Sequence, residues 1–191
     1  PLLLPACSAG TDANPAAVVT EIATEVVEPE PEVETVDAFH FESGTLELGP
    51  FDPFEVYPDV FDPCQEISDE EFAKVGFKTD GVTYPQHEGT NLGCHLHPIE
   101  GTSQFATFVT GNIVPGERIF EQAEVLTDQQ SDYYPDMLFF KVDSSLGNNC
   151  SAAVSTVRGH FIAGSADSVK SRETQAHCQT AKEIIEKLLR S

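Results

Sequence analysis

The sequence predicts an α+β domain of mostly antiparallel strands with helices packed on one face. Three observations predict it. From residue 39 onward, short β-branched and aromatic runs alternate with Gly, Pro and Asp turn residues. Two segments, "ISDEEFAKVG" and "SRETQAHCQTAKEIIEKLLRS", carry helical spacing. Four cysteines, Cys64, Cys94, Cys150 and Cys178, are spread through the same stretch, and an even number suits two disulfides.

The elements follow in order. "FHFESGTLELG" reads as a strand kinked at Ser43 and Gly44. Phe-Asp-Pro stands at 51–53 and again at 61–63, which reads as one turn chemistry used twice, because Asp-Pro starts turns. "ISDEEFAKVG" predicts a helix. Ser68 and Glu71 have capping-box spacing, Ile67 and Phe72 have staple spacing, and Gly76 can end it. A short strand is expected around residues 93–97. "SQFATFVTG" predicts a strand buried on both faces, and "RIFEQAEVLTDQQ" has only weak helical periodicity. "DMLFFKVD" reads as a strand, and "CSAAVSTVRGHFIAGSAD" as a hairpin turning at Arg158 and Gly159. The last helix places Cys178, Ala181, Ile185 and Leu188 on one face.

The charge is large and uneven. The 191 residues carry 32 Asp and Glu against 10 Lys and Arg, a net −22. Such a chain repels phosphate backbones, so no nucleic-acid partner is expected. No stretch approaches the roughly 18 apolar residues of a membrane-spanning helix. Residues 8–38 hold eight carboxylates and no Lys or Arg, with "EPEPEVE" alternating proline and acid. That composition predicts a disordered acidic tether, spanning roughly 30 Å as a coil. "AAVVTEIATEVVE" within it could form a transient partner-binding helix. The folded domain is expected over residues 39–191.

The fifth cysteine stands apart. Leu4-Pro5-Ala6-Cys7 fits a bacterial lipobox, in which a small residue precedes a cysteine that is alkylated and then becomes the N-terminus. Residues 1–7 are therefore read as the end of a lipoprotein signal peptide, with the rest of the leader upstream of Pro1. Two or three acyl chains on Cys7 would hold the protein stably on the extracytoplasmic face of the cell membrane. Disulfides persist in that compartment. Four cysteines allow three pairings. Sequential pairing, Cys64–Cys94 and Cys150–Cys178, staples neighbouring elements and is the expected one. A structural zinc site is not expected, because no CxxC pair exists.

Together these residues resemble a family. The lipobox cysteine, the acidic tether, "FDPC" before a capped helix, the "GC" of the next strand, Cys150, and Cys178 opening an amphipathic last helix are similar to the actinobacterial cell-envelope lipoproteins with a DPC-motif domain of unknown function. The likeness covers the lipobox and residues 61–191. Members often carry an aromatic residue, commonly Trp, shortly after the second cysteine; here the strand reads "GCHLHP". The resemblance implies a curved sheet like that of secreted sensor or ligand-binding modules. It carries over no catalytic residues.

Candidate chemistry is sparse. His95 and His97 share one face of a strand, with Cys94 and Leu96 on the other. With His87 or Glu100 they could ligate Zn²⁺ or Cu²⁺, which gives the alternative reading of a metal-binding protein or metal-dependent enzyme. Asp128, Asp132 and Asp136 lack calcium-loop spacing and read as solvated charges. Tyr133, Tyr134 and Pro135 form a candidate aromatic patch. There is no G-x-S-x-G and no glycine-rich phosphate loop. The expectation is thus a non-enzymatic binding or adaptor domain without a cofactor. Its partner would be an envelope protein, a glycan or an amphiphile.

Overall fold

The computed structural model describes residues 37–101, 105–143, 147–167 and 172–191, without the side chain of Phe120. Cys7 and residues 1–36, with the expected lipid site and most of the tether, lie outside the described residues.

The architecture is α+β and mostly antiparallel. A small hairpin pairs β1 (Ala38–Phe41) with β2 (Gly44–Glu47), Phe41 opposite Gly44. The sequence suggested one kinked strand; the chain instead folds back at Glu42 and Ser43, and Gly44 takes φ +143°, a conformation glycine adopts freely. Ala38 already pairs with Glu47 and is buried.

The main sheet runs β3 (Phe77–Thr79), β5 (Asn91–Pro98), β6 (Ala106–Asn112), β10 (Gly159–Asp167), β9 (Asn148–Thr156), β8 (Leu138–Val142) and β7 (Ala123–Val125). β4 (Tyr84–Gln86) pairs with β5 beside β3. It is an open sheet whose two faces follow the two-residue side-chain period. One face carries Cys94, Leu96, Val109, Phe139, Cys150, Ala152, Val154, Phe161 and Ala163, all in the main core. The other carries His95, Phe108, Thr110, Phe140, Ala153 and Ile162.

Helices cover the first face. The two Phe-Asp-Pro copies open short helices rather than plain turns: α1 (Pro53–Val56) and α2 (Pro63–Glu66). Asp52 accepts the Phe54 N–H and Asp62 the Cys64 N–H, with proline at the first helical position where its missing N–H costs nothing. α3 (Asp69–Lys74) has the expected capping box: Ser68 Oγ accepts the Glu71 N–H, and Glu71 accepts the Ser68 N–H at 2.8 Å. α5 (Thr174–Leu189) buries Cys178, Ala181, Ile184, Ile185 and Leu188 against β9 and β10. Each of its isoleucine and leucine side chains contributes roughly 1.5–3 kcal/mol on leaving water. Of the helices over this face, α2 and α5 are cross-linked to the sheet, by Cys64–Cys94 and Cys150–Cys178, as the spacing suggested. Phe39, Phe41, Phe61 and Phe161 interlock in stacked and edge-on pairs 5.3–5.8 Å apart.

The ambiguous "RIFEQAEV" divides into α4 (Gly116–Gln122) and β7. α4 lies over the other face, where Ile119 packs with Phe140, Ala153 and Ile162. The strand expected in "SQFATFVTG" is β6, which is buried on one face only: Val109 is buried, whereas Phe108 and Thr110 are half-buried.

Candidate functional site

β6, β8, β9 and β10 turn Phe108, Thr110, Phe140, Ser151 and Ile162 toward the side that α2, α3 and α5 leave uncovered. α4 and the turn before β5 wall this side. Between them lies a cleft of about 460 Å³, lined by those residues with Tyr84, His87, His95, Arg118, Ile119 and Val142. That size suits a small organic ligand. A larger depression of about 740 Å³ adjoins it, lined by Phe54, Tyr57, Ile113, Val114 and Pro115, and the two share His87, Val114, Arg118 and Gln122. Phe54 is 93% exposed and Tyr57 53%, so the depression's outer wall presents aromatic surface to water.

Glycine shapes the cleft floor. Gly164 lies under the ring of Phe108, and a Cβ there would meet the ring's far end. On the opposite face, the missing Cβ of Gly111 points at the backbone carbonyl of Phe61. The rim is built on an unusual backbone: His87 and Glu88 both take positive φ, +49° and +59°. Two successive non-glycine residues in that region are strained, and such strain concentrates at functional sites.

Polar groups at the cleft are sparse. The Tyr84 hydroxyl donates to Asp80 Oδ2 at 3.0 Å, which raises the tyrosine's pKa. Asp80 is held below the usual carboxylate range, first by the Val82 N–H. No serine or threonine hydroxyl of the cleft bonds a histidine or carboxylate among the described residues. Arg118 is exposed on α4, and its guanidinium has no hydrogen bond or ion pair among the described residues.

The histidines singled out from sequence are placed as follows. His95 and His97 are exposed on the same face of β5, as alternation requires. His95 reaches the cleft, its ring 5.6 Å from that of Tyr84. His97 stands opposite Lys78. His87 lies on the rim. Among the described residues no three His, Cys, Asp or Glu side chains gather where they could hold a metal ion. Asp128, Asp132 and Asp136 are exposed. Tyr133 and Tyr134 do not form one patch: Tyr134 packs on the core, and Arg190 lies over the Tyr133 ring at 4.2 Å.

Sequence reading missed a buried polar cluster. Ser165 Oγ lies 2.9 Å from His177 Nδ1, and His177 Nε2 lies 3.6 Å from Asp167 Oδ2, all three residues at most 2% exposed. Burial, then the nearby Arg172, pushes the His177 pKa down, against the pull of Asp167. The set carries the residue types of a hydrolytic triad, but it is sealed between β10 and α5. It ties helix to sheet, and among the described residues it leaves a substrate no approach. Its spacing, two residues along a strand and twelve to a helix, leaves no local signal. Arg118 and the cleft floor were missed for a similar reason, since tertiary pairing alone assembles them.

No curated protein and no solved structure matches the chain. A family model does, over residues 2–191, nearly the whole length. The chain therefore belongs to the family described as "Protein of unknown function (DUF3558)".

Proposed function

We propose that this protein is a non-catalytic binding domain of the bacterial cell envelope. It is held at the extracytoplasmic membrane face by lipid on Cys7 and takes its ligand in the cleft on the open side of the sheet. The observation that carries the reading is the cleft itself: an apolar floor, aromatic outer walls and one unpaired guanidinium at its mouth. Such a site binds, because apolar area supplies affinity and a few polar groups supply orientation. Two disulfides in a domain of this size agree with an oxidising compartment. The lipobox and tether agree with an actinobacterial envelope lipoprotein.

Two measurements test it. Labelled palmitate fed to the native host should enter the protein and be lost in Cys7→Ala; absence of label overturns the anchor. A photoreactive phenylalanine at position 140, on the cleft floor, should give an adduct in cells that the same probe at exposed position 157 does not. Equal or absent adducts overturn the cleft as the binding site.

A further inference from the structure

We propose that the cleft takes a single-chain amphiphile with one negative charge, a long-chain fatty acid, whose carboxylate sits on Arg118 and whose alkyl chain lies over Phe108, Ile119, Phe140 and Ile162. This rests on the cleft reading above and names its ligand class.

Charge complementarity selects the head group. The chain carries a net −22, so few of its surfaces welcome an anion. The other described arginines are engaged within the fold. Arg158 pairs with Glu66 and Asp59, Arg172 lies over Phe105, and Arg190 lies over Tyr133 and donates to the Glu186 carbonyl. Arg118 alone among them has no side-chain hydrogen bond, ion pair or ring contact among the described residues, and it stands where the two depressions meet. A guanidinium fork matches a carboxylate with two parallel hydrogen bonds. The charge count favours a monoanion. One guanidinium supplies one counter-charge, and Glu88 on the rim with Glu117 and Glu121 flanking Arg118 on α4 add none, so the second charge of a phosphate monoester would leave water without a partner.

The walls select the tail. The floor beyond Arg118 is aliphatic and aromatic, and Ile119, the next residue of α4, closes over it with Phe140 and Ile162. The same turn of helix thus supplies the cation for a head and the apolar contact for a chain. The strained His87–Glu88 turn fixes the rim beside that junction.

Calorimetric titration of the purified full chain tests this, with dodecanoate below its micelle concentration as probe. Dodecanol and dodecyl phosphate carry the same tail with no charge or nearly two. The expected result is 1:1 binding of dodecanoate, at least tenfold tighter than either control. Arg118→Gln, an exposed helix position where folding is not at stake, should weaken dodecanoate roughly 10- to 100-fold and leave dodecanol unchanged. Unchanged dodecanoate affinity in Arg118→Gln overturns the head-group assignment. Dodecanol or dodecyl phosphate binding as tightly as dodecanoate overturns the ligand class. If no amphiphile binds but the position-140 probe still forms adducts, the class is wrong and the cleft reading stands. An adduct to the chain's own residues 8–36 would make the acidic segment the occupant and also overturn the class.

Discussion

The two faces of the sheet use the same strands for opposite ends. Phe161 and Ile162 are neighbours in β10, yet Phe161 is sealed among Phe39 and Phe61 while Ile162 lies under the cleft. The closed face carries the disulfides, α5 and the aromatic cluster. The open face carries a short helix, a strained rim and an unpaired cation. The closed face does the stabilising, so the open one is free to leave apolar surface uncovered. Stability and binding are thereby separable along a single strand.

The largest effect should come from that pair of neighbours. Phe161→Ala is expected to destabilise by about 3–5 kcal/mol, the cost of a large cavity in a close-packed core. Ile162→Ala should cost less, about 2 kcal/mol, because its side of the sheet can relax toward the cleft. Urea unfolding of both variants measures this. Equal losses would mean that the open face is as tightly packed as the closed one, and the contrast would fail.

Acid should come next, and it probes both faces through one histidine each. His160 shares the open-side parity of Ile162 but is capped by Phe51, its ring 4.8 Å away, with Nδ1 3.2 Å from Ser155 Oγ. Burial pushes its pKa from 6.5 down to about 4. Between those values the unfolded chain takes up a proton that the folded chain refuses. Stability is therefore full above pH 6.5 and falls as pH drops toward 4, by at most about 3 kcal/mol from this group. Buried His177, on the closed face, is shifted in the same direction and adds to the loss. His160→Gln should flatten the profile of stability against pH between 6.5 and 4. An unchanged slope would leave His177 as its main source.

What could be read beforehand divides along the same line. α3 was legible because its capping box and terminal glycine sit within nine residues. The β9–β10 hairpin was legible from Arg158-Gly159, and the disulfides from cysteine parity and spacing. The open face was not. β10 reads "GHFIAGSAD", apolar or small on both sides, so alternation cannot say which side is sealed. Arg118 sits in a segment that changes from helical to strand period within eight residues, which blurs both signals. His95 was correctly placed on an exposed face, yet it serves the cleft wall rather than a metal cluster.

Two glycines sharpen the contrast at the smallest scale. Gly111→Ala drives a methyl into the Phe61 backbone, at the start of the segment that α2 and Cys64 pin to the sheet. Backbone cannot yield there without moving the cross-linked helix, so a loss of about 1–3 kcal/mol is expected. Gly164→Ala meets only the far end of the Phe108 ring. Phe108 is half-buried with the cleft beside it, so the ring can swing outward, and a loss below about 1 kcal/mol is expected. That swing fills part of the cleft floor. Gly164→Ala should therefore leave the unfolding midpoint nearly unchanged while weakening dodecanoate, and Gly111→Ala should do the reverse. If Gly164→Ala costs as much stability as Gly111→Ala, Phe108 is locked in place and belongs to the core. If it costs little and binding is untouched, Phe108 lies off the ligand's path, and the alkyl chain must run along Ile119 and Phe140 instead.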